Sequence, residues 1–373
     1  MDHEEKNFHY TSKLRVFYNT PSFGPGVASL LEQVKIHGSI NAACANMNMA
    51  YSKAWKILKA AEKDLGFSLL SRTTGGKGGG FSKLTKEGEI LLQNYIGFSR
   101  EADAAIEQYF LKFFHPYMPE NSFLYKKLSI PENARIISLI GGGGKTSCMY
   151  QLAKEYAAMG KKVLLTTSTH ILVPPPQEVP ILFYYPVSTE QLSDAFTRFS
   201  IIAVGAKDKP GKLSSVPPAF FQKALETADV ILCEADGAKM LPIKAPASHE
   251  PAIVPESDVI IILAGLSCLH KPLKDVCHRK DLAARLLSVP PSTPLGIQEV
   301  ASLIIDSNGL MKGLYEEKEK VRIFLNQADT KEQLEEGNEI AKQIHAVGLS
   351  HVLVGSLHQE FARFSHRTSK TSF

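Results

Sequence analysis

Four consecutive glycines between an apolar run and a helix-forming stretch constrain the fold of this chain more than any other feature. Residues 136–140 predict a buried strand, and the stretch that follows Lys145 and Thr146 predicts a helix. Glycine permits the backbone angles that turn successive amides towards one anion, and a helix N-terminus adds its dipole. A strand, a glycine loop and a helix in this order predict a phosphate-binding P-loop.

The loop supplies the candidate nucleotide-binding residues, which are Gly141, Gly142, Gly143, Gly144, Lys145 and Thr146. The Lys145 ammonium would reach the β- and γ-phosphates of ATP or GTP, and the Thr146 hydroxyl would bind Mg²⁺. The common spacing G-x-x-x-x-G-K-S/T is not met, because its first glycine would fall at Leu139. The loop is a compact variant, similar to that of the Mur-type ligases. The alternative is a flexible glycine turn.

Two acids end the next strongly apolar strand pattern, at 230–233. Glu234 and Asp236 are the candidate catalytic residues, since carboxylates at the carboxyl end of a parallel strand face the ligand crevice. There they would hold Mg²⁺ or orient an attacking water. Thr167 follows the strand pattern at 163–166, so Thr146, Thr167 and Asp236 are the candidate Mg²⁺ ligands. The alternative is a pair of surface acids.

Apolar runs alternate with helical stretches from residue 136 onwards, which predicts a mainly parallel α/β sheet. The predicted strands lie at 136–140, 163–166, 201–204, 230–233, 259–263, 321–325 and 352–354. The run at 321–325 leads into Asn326 and Asp329, which resemble the N-K-x-D guanine-recognition element, with Gln327 in place of its lysine. Asn326 and Asp329 are therefore further nucleotide-binding candidates, and ATP and GTP both remain open.

The cysteines and the hydropathy exclude several classes of protein. Five scattered cysteines form no disulfide framework and fit a reducing cytoplasm. Cys268, His270, Cys277 and His278 lie close together, but their spacing matches no common zinc pattern. The acidic N-terminus is unlike a secretory signal, and no run of about eighteen apolar residues predicts a membrane span.

The positive charge of the chain is concentrated near its N-terminus. Residues 1–127 contain 16 Lys and Arg and 12 Asp and Glu, whereas the whole chain has 42 and 38, so the entire excess of +4 lies in this first third. Residues 49–86 carry eight bases and two acids. Such a basic field is typical of a polyanion partner, although a solvated lysine face on a helix would look the same.

The same region predicts a winged helix-turn-helix fold. A helix at 24–37 precedes two helices, at 40–45 and 49–64, and two short strands then flank a glycine-rich tip at 73–80. The second helix of such a pair enters the major groove of double-stranded DNA. The candidate DNA-binding residues on this helix and on the hairpin are Tyr51, Ser52, Lys53, Lys56, Arg72 and Lys77. A long helix at 86–114 predicts a homodimer, and an ordinary helical bundle with a loop is the alternative.

This N-terminal third resembles the DNA-binding domain of the ModE molybdate-responsive regulators, which are LysR-type winged helices that dimerise through the long helix. The resemblance covers about residues 20–114 and rests on the segments Gly38–Cys44, Ala50–Trp55, Arg72–Gly80 and Leu84–Gly88. Those regulators usually carry C-terminal molybdate-binding modules, which this sequence lacks. The resemblance therefore implies DNA binding without implying molybdate sensing.

The C-terminal part resembles the YqeC family of selenium-dependent hydroxylase accessory proteins. The resemblance spans about 130–356 and rests on the segments Ile140–Thr146, Leu165–Ile171, Glu234–Lys239, Pro242–Pro246, His249–Pro251 and Cys277–Arg279. It implies a nucleotide-dependent role in the maturation of selenium-containing molybdenum hydroxylases. Through it, Lys239, Lys244 and His249 become candidate site residues.

The sequence thus predicts a multidomain chain: an all-α winged helix-turn-helix domain at 1–120, a linker at 121–130, and an α/β P-loop NTPase-like domain at 131–373. The first functional hypothesis is a Mg²⁺-dependent NTPase that assists selenium and molybdenum hydroxylase maturation components. The second is a transcription regulator whose P-loop domain senses a nucleotide or cofactor without turnover. A ligase or kinase that forms an acyl-phosphate is the third, suggested only by the Mur-like loop.

Overall fold

The computed structural model describes residues 10–17, 21–73, 81–119 and 122–357, and these form two compact units. The N-terminal unit comprises residues 10–107, and the C-terminal unit comprises residues 108–357 of the described chain. Within these ranges, no helix is both long and apolar enough to cross a membrane.

The described part of the N-terminal unit is built from helices and two small antiparallel strand pairs, β1–β2 and β3–β4. Its elements are β1 (Val16–Phe17), β2 (Pro21–Phe23), α1 (Pro25–His37), α2 (Ile40–Asn46), α3 (Tyr51–Leu65), β3 (Leu70–Thr73), β4 (Phe81–Leu84) and α4 (Lys86–Phe114), the last of which extends into the C-terminal unit. Gly38 ends α1 in the left-handed region at φ 71°, and the Ser39 hydroxyl then caps α2 by accepting from the Ala42 amide at 3.1 Å.

The turn between α2 and α3 gives the helix-turn-helix that the sequence predicts. Ala43 of α2 and Ala54 and Leu58 of α3 are fully buried in one apolar cluster, where their small or compact side chains permit close helix approach. Strands β3 and β4 pair antiparallel, with Leu70 opposite Leu84, and form the hairpin that follows the helices. The tip of this hairpin, 74–80, lies outside the described residues.

The C-terminal unit contains the remaining helices and strands. The helices are α5 (Leu124–Lys127), α6 (Lys145–Ala158), α7 (Thr189–Arg198), α8 (Pro218–Ala224), α9 (Leu273–Val276), α10 (Lys280–Leu287), α11 (Ile297–Ile305) and α12 (Lys331–Ala346). The strands are β5 (Ile136–Gly141), β6 (Val163–Thr167), β7 (His170–Leu172), β8 (Leu182–Tyr184), β9 (Ile201–Lys207), β10 (Lys212–Ser214), β11 (Val230–Glu234), β12 (Ile243–Lys244), β13 (Val259–Gly265), β14 (Cys277–His278), β15 (Val321–Asn326) and β16 (Val352–Val354).

A mainly parallel sheet forms the core of this unit and confirms the α/β fold class. Its strands run in the order β16-β15-β13-β5-β11-β6-β9, all parallel, and β10 and β7 add an antiparallel edge while β8 pairs with β9. All seven predicted strands belong to it. The glycine-loop strand β5 lies at its centre, between β13 and β11. The loops that end these three strands therefore meet at one sheet edge.

Helices cover both faces of the sheet, which explains its continuous apolar strands. Ile137 and Leu139 of β5 pack in one cluster with Leu152 of α6. Ile140 belongs to the cluster on the opposite face of the sheet, which also contains Leu303 of α11 and residues of α12. Neighbouring strand residues point to opposite faces, so β5 is anchored from both sides and holds the glycine loop rigidly.

The segment at 122–130 differs from the open linker that the sequence suggests. Phe123, Leu124 and Tyr125 are buried with the α6 side of the sheet. The buried Glu155 carboxylate of α6 accepts the Leu124 and Tyr125 amides at 2.9 and 3.0 Å. The proline-containing pairs at 115–119 suggested a linker, but the apolar residues after them pack as part of the C-terminal unit.

Candidate functional site

The glycine loop is shaped by contacts that leave no room for side chains. Gly141, Gly143 and Gly144 have φ angles of 95°, 70° and 111°, a region that residues with a Cβ rarely adopt. A Cβ on Gly141 would lie 2.1 Å from the Leu263 carbonyl oxygen of β13, and one on Gly144 would lie 2.8 Å from Asn326 Nδ2. The loop therefore needs glycine for both its backbone angles and its packing.

Lys145 begins α6 directly after the loop and is buried together with two acids. Its Nζ donates to the Gly141 carbonyl at 2.7 Å and lies 3.2 Å from Asp236 Oδ1 and 3.5 Å from Glu234 Oε1. The exposed fraction of the Lys145 residue is 5%. The structure thus brings together the predicted lysine and both predicted carboxylates.

Glu234 ends β11 and contacts Thr146 as well as Lys145. The Thr146 hydroxyl donates to Glu234 Oε2 at 2.8 Å. Burial raises the pKa of Glu234, and the Lys145 ammonium and the Thr146 hydroxyl oppose this rise only in part. The Thr146 hydroxyl, in the first turn of α6, and the neighbouring Glu234 carboxylate are oxygen ligands of the kind that Mg²⁺ takes together with phosphate oxygens. These two residues fit the cation better than Asp236 does.

Asp236 is surrounded by donors on every side. Its two carboxylate oxygens accept the Gly141 amide at 2.9 and 3.1 Å, and Lys145 and Lys244 lie 3.2 and 3.0 Å away. The residue is 1% exposed. With both oxygens engaged, Asp236 positions the loop and the two lysines, and direct Mg²⁺ ligation would require it to release a lysine.

Lys244 connects this cluster to a second group of charges. Its Nζ is fully buried and donates to Glu250 Oε2 at 2.6 Å and to the Gly237 carbonyl at 2.8 Å. Arg279 donates to the two Glu250 carboxylate oxygens from its two terminal guanidinium nitrogens, at 2.5 and 2.8 Å. Burial alone would raise the pKa of Glu250, but hydrogen bonds from Arg279 and Lys244 outweigh it and lower the pKa to about 2. Of these residues, sequence reasoning selected only Lys244.

The signal for the two missed residues was present in the triplets His249-Glu250-Pro251 and Cys277-His278-Arg279. Only the parallel pairing of β12 with β14, which sets Lys244 beside His278, brings the triplets together. Such a pairing between residues more than thirty positions apart cannot be derived from local pattern.

The turn after β11 covers the glycine loop. The Gly143 amide donates to the Leu241 carbonyl at 3.1 Å, and the Gly265 amide donates to the Pro242 carbonyl at 2.7 Å. The Gly142 amide donates to the Leu263 carbonyl at 2.8 Å. The first amides of α6 follow the loop and have no intrahelical partner, so they are groups that could donate to an anion.

Three further candidates occupy different positions around the site. Thr167 is buried, and its hydroxyl donates to the Glu234 carbonyl at 2.8 Å while accepting the Thr169 amide at 3.0 Å, so it braces the end of β11. Lys239 is exposed in the covering turn, at a φ of 49°. His249 is also exposed, directly before Glu250.

Asn326 and Asp329 lie on the other side of the loop, at the end of β15. Asn326 Nδ2 donates to the Gly143 carbonyl at 2.7 Å, and Asn326 Oδ1 accepts the Leu357 amide at 3.1 Å. The Ser356 hydroxyl donates to Asp329 Oδ1 at 2.5 Å. The N-Q-x-D segment is thus tied to the glycine loop and to the loop that follows β16.

The cysteine and histidine group does not converge on one point. Cys268 and Cys277 are buried in the apolar core, and burial raises the pKa of each thiol to about 12. His270 instead lies at the surface, with its Nε2 2.8 Å from Glu336. Among the residues that the structure describes, no three His, Cys, Asp or Glu side chains form a metal-binding group.

The candidate DNA-contacting residues lie on the outer face of α3. Tyr51, Ser52, Lys53 and Lys56 are all exposed. The Tyr51 ring stacks on Trp55 with centroids 6.3 Å apart. Arg72 lies on β3 opposite Ser82, and Lys77 lies outside the described residues.

Comparison with known proteins assigns both parts of the chain. Residues 28–89 match the bacterial regulatory helix-turn-helix family of the lysR type. The ModE transcriptional regulator of Haemophilus influenzae is 44% identical over 71 residues, which are 19% of this chain and 28% of that protein. The DNA-binding regulator ModE of Escherichia coli K12 is 35% identical over 71 residues, 27% of its length. The N-terminal unit is therefore a LysR-type, ModE-like helix-turn-helix domain.

The C-terminal unit matches a different family. Residues 137–281 match the model for the YqeC protein. In solved structures, the hydrogenase maturation factor HypB of Archaeoglobus fulgidus is similar at 11% identity and a TM-score of 0.31, covering 71% of this chain and 100% of that one. The YqeC protein of Escherichia coli K12 is 30% identical over 197 residues, which are 52% of this chain and 76% of that protein. At this identity and coverage, the chain belongs to the YqeC family.

Proposed function

We propose that the C-terminal unit binds a nucleoside triphosphate with Mg²⁺ at the glycine loop and hydrolyses it. The observation that carries this proposal is the buried contact of Lys145 with Glu234 and Asp236, beside the Thr146 hydroxyl. A lysine and a hydroxyl at a helix N-terminus, facing carboxylates from the adjacent strand, are the groups that bind and polarise a triphosphate.

Each residue has a distinct task in this proposal. Lys145 exchanges its contacts with the Gly141 carbonyl and the acids for the phosphates. Thr146 and Glu234 would hold Mg²⁺, directly or through water, and the cation would neutralise charge that develops on the phosphates. Glu234 is alternatively the residue that could orient the attacking water, because its carboxylate ends β11 beside Lys145 and the Thr146 hydroxyl. Asp236 holds the Gly141 amide of the loop and the two lysines in place.

In the cell, we propose, this activity assists the maturation of selenium-dependent molybdenum hydroxylases in the cytoplasm. Membership of the YqeC family supports the accessory role. The fused ModE-like domain supports a link to molybdenum-related transcription and binding to double-stranded DNA. The exposed aromatic residues of α4, among them Phe98 and Tyr109, support a homodimer through that helix.

A nucleotide-sensing regulator is the second candidate. The exposed basic face of α3 favours it, because a DNA-binding unit gives bound nucleotide an immediate output. The two candidates differ in turnover. An accessory NTPase releases phosphate at a steady rate, whereas a sensor binds the triphosphate and leaves it intact.

The deciding experiment measures triphosphate binding and phosphate release by the full chain with ATP and GTP. Lys145→Ala should lower affinity for the bound triphosphate by about 100-fold or more, since a charge-assisted contact is lost. Lys331→Ala is the matched control, because its side chain is 90% exposed on α12. Equal affinities in the Lys145 variant and the wild type would refute the assignment of this loop.

Turnover is tested by changing the acids. Asp236→Asn should lower phosphate release far more than triphosphate affinity, because it loosens the hold on Lys244 and the Gly141 amide that keeps the glycine loop in place during the reaction. Asp275→Asn, an exposed acid on α9, is its control. Binding without phosphate release in the wild type would favour the sensor instead.

A further inference from the structure

The guanidinium of Arg279 has one edge bound to protein and one edge without an acceptor in the described chain. Nη1 and Nη2 donate to the two Glu250 carboxylate oxygens at 2.5 and 2.8 Å, and Nη1 also donates to the Ala245 carbonyl at 3.5 Å. A guanidinium carries five N–H donors in a planar fork, so Nε–H and the second Nη2–H remain. Neither donates to any residue that the structure describes. The side chain is 23% exposed, so this second edge is a pair of parallel donors available to a ligand from solvent.

His278 and Lys239 are two more donors close to Arg279. His278 lies opposite Lys244 in the β12–β14 pair. Burial lowers the pKa of its imidazole, and three cations, Arg279, Lys244 and Lys239, lower that pKa further. Glu250 opposes these effects only in part. The ring is therefore a neutral imidazole among cations, and it has one N–H to donate. Within the described ranges, neither this ring nor the exposed Lys239 ammonium makes a hydrogen bond or an ion pair.

The positive charge in this region exceeds the negative charge. The ion-paired cluster is balanced, because three cations meet three carboxylates: Lys145, Lys244 and Arg279 with Glu234, Asp236 and Glu250. Lys239 adds a cation that the described residues leave without a carboxylate. Lys312 adds another, since its Nζ donates in the described chain to carbonyls, those of Ala247, Ser248 and Glu250, at 2.6, 2.8 and 2.9 Å. A doubly charged anion would compensate these two cations.

The number and geometry of the donors decide between classes of anion. The two parallel donors of Arg279 match the two oxygens of one carboxylate, which would leave His278 and Lys239 with little to bind. A phosphate monoester has three terminal oxygens and a charge near −2. It can therefore accept from the arginine edge, the imidazole and the ammonium together. The donor set fits a phosphate group better than a carboxylate.

We propose that Arg279, His278 and Lys239 bind the phosphate group of a second substrate, at a position distinct from that of the bound triphosphate. The class of compound on which the C-terminal unit acts is then a phosphorylated one. This inference rests on the proposed triphosphate site only for the reaction that the substrate would enter, because binding of the phosphate group can be measured with or without a nucleotide.

Shared carboxylates connect the two positions. Glu250 Oε2 accepts from both Arg279 and Lys244, at 2.5 and 2.6 Å. Asp236 in turn lies 3.0 Å from Lys244 and 3.2 Å from Lys145. The phosphate group of the second substrate is thus held at the opposite end of this chain of ion pairs from the lysine that would bind the triphosphate.

The test titrates the full chain with inorganic phosphate by calorimetry, in the presence of Mg²⁺ and an excess of a non-hydrolysable ATP or GTP analogue, with acetate as the carboxylate probe. Wild type should bind phosphate with a dissociation constant of about 1 mM or below, and acetate at least about 10-fold more weakly. Lys239→Gln should weaken phosphate binding about fivefold to tenfold, whereas Lys239→Arg should retain it. Arg279→Lys, which keeps a cation beside Glu250 and removes the second edge, should weaken it at least about 10-fold. Lys331→Ala is the control and should change nothing.

The outcomes separate this site from the triphosphate site. Equal phosphate affinities in wild type, Lys239→Gln and Arg279→Lys would overturn the inference, and so would an absence of phosphate binding beside a bound analogue; both leave the triphosphate site standing. Acetate bound as tightly as phosphate would overturn the phosphate assignment. Phosphate binding that depends on Lys239 and Arg279, in a chain that binds neither analogue, would support the second site and refute the triphosphate site. Because Lys239 is exposed, its replacement tests binding without disturbing a buried contact.

Discussion

Replacing Gly141 by alanine tests whether the glycine loop is held by β13 as the structure shows. The φ of 95° costs an alanine about 1–2 kcal/mol. The new Cβ would also lie 2.1 Å from the Leu263 carbonyl oxygen, far inside van der Waals contact, and relief would require β5 and β13 to separate. Overpacking of this kind typically costs about 1–3 kcal/mol. We therefore expect a loss of about 2–5 kcal/mol in the free energy of unfolding.

Gly160 provides a matched control in the same unit. Its φ is 80°, but a Cβ there meets nothing within 4 Å, so Gly160→Ala should cost only the backbone share of about 1–2 kcal/mol. Urea unfolding followed by far-ultraviolet circular dichroism measures both. Trp55, the single tryptophan, lies on α3, so its fluorescence reports the N-terminal unit and should not change. Equal losses in the two variants would refute the close packing of the loop on β13.

Two other consequences can be measured directly. Glu250 has a pKa of about 2, below its ordinary value near 4.5, so its contribution to stability is full above pH 4.5 and is lost as the pH falls towards 2. Wild type should therefore lose more unfolding free energy than Glu250→Gln between pH 5 and pH 3, by up to about 1.4 kcal/mol per pH unit, and parallel curves would contradict this. For the DNA-binding unit, Lys56→Ala should weaken all duplexes alike and reduce the salt dependence by about one phosphate contact, whereas Ser52→Ala should change which sequences are preferred. A gel-shift selection at several salt concentrations checks both, and unchanged binding by either variant would exclude that residue from the interface.

Local sequence predicted the strands and the loop because their signals are local. The apolar runs at β5, β11 and β13 are buried on both faces, so each forms a continuous pattern that needs no knowledge of its neighbours. The glycine run could be assigned from its own backbone requirements. The helices α1, α2 and α3 were found for a similar reason, since Gly38, Ser39 and Gly66 mark their ends.

The contacts around Asp236 could not be predicted in this way. Lys244 comes eight positions later and contacts Glu250 six positions beyond it, and Arg279 comes beside Glu250 where β14 pairs with β12. Thr167 looked equally suited to bind a cation, but its hydroxyl is used to brace the carbonyl of Glu234. Which polar side chain binds a ligand and which stabilises the backbone depends on the packing of segments that are distant in sequence.

The charges in the cluster explain why triphosphate and Mg²⁺ would bind together. Lys145 compensates Glu234 and Asp236, which are 7% and 1% exposed, and an uncompensated buried carboxylate is costly. When Lys145 turns towards a phosphate, Asp236 keeps Lys244 and the Gly141 amide, but Glu234 keeps only the Thr146 hydroxyl among the contacts described above. A cation beside Thr146 and Glu234 would restore the balance at the position that Lys145 leaves. In the proposed function, Asp236 would therefore stay with Lys244, and Glu234 would be the acid that binds Mg²⁺.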